Sequence, residues 1–120
     1  MISTTMVGLC EALIYGHQAG LPLDNMIELL EGGAAGSHAL KNLGPRILKR
    51  DMEPGFSVAH FVKDLGIALD EARTMGLSLP GTALANQLYM SFKAQGGENM
   101  GTQGLIMALE KMNNMSVKKY

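Results

Sequence analysis

Residues 54–76 read PGFSVAHFVKDLGIALDEARTMG. Apolar side chains fall at Val58, Phe61, Val62, Leu65, Leu69 and Ala72, the i, i+3, i+4, i+7 spacing that gathers them on one face of a 3.6-residue helix. The spacing predicts an amphipathic helix at the centre of the fold. Its ends are marked as well: Pro54-Gly55 precede it, Ser57 offers a hydroxyl to the first unpaired N–H groups, and Gly76 can take the left-handed conformation that closes a helix. Lys63, Gly66 and Asp70 lie off the apolar stripe. A cation in mid-helix with a glycine three residues on is a place where an anion can come close, although Lys63 and Asp64 also fit an ordinary solvated face.

Working upstream, residues 1–19 carry Ile2, Met6, Leu9 and Leu13 with Val7, Cys10 and Ile14 beside them. This broad apolar helical face begins with no capping residue, so the natural helix is expected to continue upstream of Met1. Gly20 and Pro22 end it. A second helix is expected over residues 23–31, with Asp24 favourably placed in its first turn, before the loop Gly32, Gly33, Ala34, Ala35, Gly36. That loop follows a helix and matches neither G-x-G-x-x-G nor G-x-x-x-x-G-K-[ST], so it does not read as a phosphate cradle. Ser37 can cap a short helix through Asn42, and Gly44-Pro45 is expected to break the backbone before a further turn over residues 46–50. Arg46, Lys49 and Arg50 in that turn are expected to face solvent, with a phosphate contact as the alternative.

Downstream, Gly81-Thr82 opens a helix through about Gln95, carrying Leu84, Leu88 and Phe92, and Gly96-Gly97 closes it. A last helix is expected from Gln103 to about Asn113, followed by a fraying tail. No period-2 alternation occurs, so the fold class is all-α.

The chain has 120 residues, 47% hydrophobic and 18% charged. That is long enough for one domain burying roughly 65% of its unfolded surface. A net charge of −1 leaves no electrostatic footprint for nucleic acid or an anionic membrane, and the closing Lys118 and Lys119 are too few to change that. Cys10 is the only cysteine and cannot form an internal bridge, which fits a reducing compartment. No apolar run reaches membrane-spanning length and no basic secretory leader precedes the first helix, so a cytoplasmic location is expected. The ten methionines are spread along the chain and read as core filling.

The residues alone do not compose a self-contained active site. His17, His38 and His60 lack ligand spacing, so no metal site is expected. Ser37 beside His38 does not provide nucleophile-to-base geometry. Glu28 with Glu31 and Asp70 with Glu71 read as solvated faces rather than acid/base pairs.

The order of segments nevertheless resembles one family. GLCEALIYGHQAGL, AAGSHALKNLGPRILKRD, PGFSVAHFVKDLGIALDEA and GLSLPGTALANQLY are similar, in that order, to the C-terminal helical domain of the β-hydroxyacid dehydrogenases, the 3-hydroxyisobutyrate dehydrogenase-like enzymes distantly related to 6-phosphogluconate dehydrogenase. The likeness covers residues 6–110. Its most specific piece is GF-x(6)-KDL, here Gly55, Phe56, Lys63, Asp64 and Leu65, followed by the Leu-Pro-Gly-Thr turn.

The resemblance implies a multi-helix bundle of the 6-phosphogluconate dehydrogenase C-terminal type, residues 1–120 forming one substrate-binding and dimerisation domain. It implies an upstream Rossmann domain holding NAD or NADP, and a catalytic Lys-x-x-x-Asn motif that would fall just before Met1. No catalytic residue is therefore expected within the chain. By the same resemblance Lys63 reaches the cofactor near its nicotinamide end, Phe56 and Asp64 shape the substrate pocket, and Leu65 and Ala68 pack. His38 departs from the aromatic residue that often follows the serine. The implied activity is NAD(P)-linked oxidation of a small β-hydroxy acid or reduction of its semialdehyde, by a homodimer or higher homo-oligomer. Two alternatives stand beside it: a free-standing helical interaction module, and the equivalent domain of an imine or semialdehyde reductase.

Overall fold

The computed structural model describes residues 1–115, 117 and 120. Six α-helices follow one another, and among the described residues there is no strand, only one antiparallel bridge between Ser57 and Gly101. Helix α1 (Ile2–Gln18) has Met1 as its N-cap with no side-chain cap, as its sequence anticipates. Met6, Cys10 and Leu13 on it are fully buried. It closes with Leu21 N–H donating to the Gly16 carbonyl at 2.9 Å, and α2 (Leu23–Glu31) follows with Asp24 in its first turn.

Helix α3 (His38–Leu48) is capped by Ser37, whose Oγ accepts from Leu40 N–H at 3.1 Å. It runs unbroken through Pro45, contrary to the expected break at Gly44-Pro45. The proline removes one helical hydrogen bond, but Leu40, Gly44, Ile47 and Leu48 form one buried row spanning it. Gly44 lets this row close on α2: a Cβ there would lie 3.1 Å from Ile27 Cδ1. Packing on both sides of the proline outweighs the lost bond.

Helix α4 (Val58–Thr74) has the expected ends. Ser57 Oγ accepts from His60 N–H at 3.4 Å, and Gly76 has φ +68°. Its position differs from the expectation. Only Val58, Leu65 and Ala72 are buried, a single i, i+7, i+14 line, and α4 packs on α5 (Pro80–Phe92) and the turn after it. The centre is instead α1 with α6 (Leu105–Met112), whose Leu105, Ile106, Ala108, Leu109 and Glu110 are all buried. A narrow apolar stripe suits a helix with one partner, whereas an almost wholly apolar helix goes inside.

Past Phe92 the chain widens into a π-type turn over Lys93–Gly97, where Gly96 has φ +92°, and a 3₁₀ turn over Thr102–Gly104 leads into α6. Beyond Asn113 the expected fraying does not describe Met115 or Tyr120. Met115 N–H donates to the Glu110 carbonyl at 2.8 Å, and the half-buried Tyr120 meets the His17 ring edge-on and donates its hydroxyl to Glu110. Lys118 and Lys119 lie outside the described residues. No helix among the described residues is long and apolar enough to cross a membrane.

Candidate functional site

Two loops, residues 51–57 and 97–102, are stitched together through their backbones. Gly101 N–H donates to the Met52 carbonyl at 2.8 Å, Thr102 N–H to Phe56 at 3.2 Å and Val58 N–H to Met100 at 2.9 Å. Gln103, fully buried, spends both Nε2 hydrogens on the carbonyls of Asp51 (3.1 Å) and Glu53 (3.0 Å). A Cβ at Gly101 would collide with the Gln103 amide, so a side chain there would push Gln103 off these carbonyls.

Arg46 and Arg50 brace the same loop. Arg46 forks onto the Asp51 carboxylate at 2.7 and 3.0 Å and reaches the Glu53 carbonyl at 2.7 Å. The Arg46 hydrogen bonds, aided by the Glu53 N–H, hold the Asp51 carboxyl below the usual carboxylate range, and the same pairing raises the Arg46 guanidinium. Arg50 forks onto Glu110 at 2.6 and 3.1 Å, with its guanidinium over the Tyr120 ring. The basic cluster expected to meet solvent or phosphate therefore divides: Lys49 is exposed, while Arg46 and Arg50 are committed to internal carboxylates. Their partners Asp51 and Glu110 lie five and sixty residues away, and only the nearer is a local sequence signal.

Against this braced loop lies a half-open cleft of about 420 Å³ beside the start of α1. Phe56 and Asp64, the two expected pocket residues, both line it, and so do His38, Phe61, Thr102 and Gln103. An aromatic stack supports one wall: Phe56 meets Phe61 edge-on at 5.9 Å between ring centroids, and Phe61 meets Tyr89 at 4.9 Å. Tyr89 donates its hydroxyl to the Thr102 carbonyl at 2.9 Å. Burial pushes that phenol well up, so it remains a neutral donor.

Lys63 is not among the lining residues but sits next to one of them. Its Nζ is 3.2 Å from Asp64 Oδ1, with both side chains at least half exposed. Such a pair is worth little and can open for a ligand at small cost. One turn on, a Cβ at Gly66 would meet nothing within 4 Å, so that flank is open. An exposed cation beside an open helix flank fits the approach of a large polar cofactor. Leu65 is buried as expected, whereas Ala68 is exposed and does not pack within the described residues.

Phe61, Thr102 and Gln103 were not legible as site residues. Phe61 reads as core from its periodicity, and the other two reach the cleft only because the 97–102 loop folds back on α4. Cys10 is buried and its thiol is raised chiefly by that burial, then by Glu110 and Glu11, which makes it unreactive. Among the described residues no three His, Cys, Asp or Glu side chains gather as a metal site would require.

Residues 1–109 match the family model described as "NAD-binding of NADP-dependent 3-hydroxyisobutyrate dehydrogenase". A relative from Arabidopsis thaliana, probable 3-hydroxyisobutyrate dehydrogenase-like 1, mitochondrial, is 57% identical over 98% of this chain and 35% of its own length. The 2-hydroxy-3-oxopropionate reductase of Escherichia coli (strain K12) is 35% identical over 95% of this chain and 39% of its own. The crystal structure of a 3-hydroxyisobutyrate dehydrogenase from Salmonella typhimurium superposes with a TM-score of 0.82 at 27% identity, over 88% of this chain and 37% of that one. The chain thus spans between a third and two fifths of the length of these relatives.

Proposed function

The chain belongs to the 3-hydroxyisobutyrate dehydrogenase family, and on that premise we propose that it is the helical domain of an NAD(P)-dependent oxidoreductase acting on a small β-hydroxy acid or its semialdehyde. The single observation that carries this reading is the cleft at the start of α1, where Phe56 and Asp64 converge on one small space with Lys63 beside it. The upstream part of the full-length protein would supply a dinucleotide-binding domain and the catalytic lysine, and α1 would join the two parts. A bound nicotinamide supplies the hydride acceptor or donor.

This chain's residues bind and orient. Phe56 and Phe61 exclude water from one side of the substrate and Asp64 accepts a hydrogen bond from it. Lys63 leaves its weak pairing with Asp64 to meet the cofactor's polar flank, and a cation on a capped helix does so with little ordering cost. The same domain closes the site and mediates dimerisation. In support, the α4–α5 hairpin leaves Ile67, Met75, Leu77, Leu79 and Leu84 exposed, apolar side chains that a second copy could cover.

The test is a nicotinamide-linked assay of the full-length natural protein with short β-hydroxy acids. Turnover is expected, with Lys63→Ala lowering kcat/KM about tenfold or more, the loss of one hydrogen bond to a charged group. Unchanged kcat/KM in that variant removes Lys63 from the site. A natural protein that lacks an upstream dinucleotide-binding domain overturns the reading as a whole.

A further inference from the structure

His38 and Asn42 sit one turn apart on α3. Asn42 Nδ2 donates to the His38 carbonyl oxygen at 3.0 Å and lies 3.1 Å from His38 Nδ1. A carbonyl oxygen only accepts, so the Asn42 atom facing it is assigned as the amide nitrogen. The second hydrogen of the same nitrogen meets His38 Nδ1, a contact that is a hydrogen bond when Nδ1 accepts, as in the Nε2–H tautomer. In that tautomer the ring proton sits on Nε2, which has no protein partner among the described residues, and the ring lines the cleft.

The other side chains of the cleft make this donor important. Gln103 has both Nε2 hydrogens on the carbonyls of Asp51 and Glu53. Asp64 as a carboxylate only accepts, and Phe56 and Phe61 offer no hydrogen. Among the side chains that line the cleft, the donors left for a ligand are the Thr102 hydroxyl and His38 Nε2–H. A carboxylate group on the ligand needs several donors or a cation, and Lys63, beside the cleft, is not among the residues that line it. A hydroxyl, by contrast, can accept from an imidazole N–H and donate to a carboxylate, and His38 and Asp64 line the same cleft. A methyl at the same place satisfies neither.

We propose that His38 is a specificity-determining residue whose Nε2–H, fixed by Asn42, donates to a hydroxyl of the substrate next to its reacting group. The site then takes a short 3-hydroxy acid with a hydroxyl at C2 in preference to one with a methyl or hydrogen there. This rests on the dehydrogenase reading above and names its substrate class.

The experiment uses the full-length natural enzyme with glycerate, 3-hydroxyisobutyrate and 3-hydroxypropionate, which carry hydroxyl, methyl and hydrogen at C2. Each is oxidised at its C3 alcohol to the aldehyde, with hydride passing to NAD(P)⁺ and a proton released. Wild-type enzyme is expected to show its highest kcat/KM with glycerate. His38→Phe, which keeps an aromatic wall and removes the donor, should narrow the glycerate to 3-hydroxypropionate ratio about tenfold, and His38→Gln should restore most of it. A wild-type preference for the methyl substrate, or a ratio that His38→Phe leaves unaltered, overturns the proposal. Absence of turnover with all three overturns the dehydrogenase reading together with it. The ¹⁵N shifts of the His38 imidazole give a readout that packing alone would not move. An Nε2–H ring is expected, losing its bias in Asn42→Ala, and an Nδ1–H majority in the wild type refutes the argument.

Discussion

Replacing Glu110 by glutamine should turn Arg50 from a stabilising residue into a liability. Arg50 ends α3 in the left-handed region at φ +58°, a position usually given to glycine because a Cβ there costs roughly 1–2 kcal/mol. The strain is tolerated because the guanidinium forks onto Glu110 at 2.6 and 3.1 Å, where the Glu110 side chain is 6% exposed and that of Arg50 23%. Removing one partner of a fully buried pair costs about 3–5 kcal/mol. The partial exposure of Arg50 puts Glu110→Gln nearer about 2–3 kcal/mol.

Arg50→Gly separates the two contributions. It relieves the backbone by about 0.5–1 kcal/mol after allowing for the freer unfolded chain, and it deletes the fork. In the wild-type background it should destabilise by about 2 kcal/mol, and in the Glu110→Gln background it should be neutral or mildly stabilising. That is a coupling of about 2–3 kcal/mol. Urea unfolding of the four proteins, followed by circular dichroism, would show Glu110→Gln shifted down by about 1–2 M for an m-value of about 1.5 kcal/mol/M. If Arg50→Gly costs as much without Glu110 as with it, with coupling below about 0.5 kcal/mol, the fork is not what permits the left-handed arginine.

Tyr89→Phe removes the donor to the buried Thr102 carbonyl and should cost about 1–3 kcal/mol, read as a fall in Tm of about 5–10 °C. An unchanged Tm would mean that the carbonyl finds another partner. Asp51 is held below its unfolded carboxyl value by Arg46, so its stabilisation is complete above about pH 4 and is lost as pH falls through the lower folded value. Urea midpoints measured from about pH 5 down to about pH 2 should therefore fall less steeply for Asp51→Asn than for the wild type, and equal slopes would refute the pairing.

The local chemistry of this chain was readable from its residues. Ser37 and Ser57 cap α3 and α4, Gly76 takes a left-handed conformation after α4, and α2 occupies the expected span. In each case the signal and its consequence lie within one turn. Pro45 misled because its cost is local while the compensation comes from Leu40, Ile47 and Leu48 packing against other helices. Phe56 and Asp64 were placed at the pocket by resemblance, and the cleft brings both to one space. Gln103 gave no sign of its role, since its partners Asp51 and Glu53 are about fifty residues away.

By itself, then, the sequence determined an all-α chain, the positions of most helix ends and the family to which its motifs belong, because periodicity, capping and short motifs act over a few residues. Only the tertiary structure decided which helix is central, which cations are spent on internal carboxylates, and which donors face the cleft. Those outcomes depend on competition among side chains far apart in the chain: Glu110 takes Arg50, Asp51 takes Arg46, and two loop carbonyls take Gln103. What is left after that competition, the Nε2–H of His38 and the Asp64 carboxylate in its weak, exposed pair with Lys63, is what the cleft can offer a ligand.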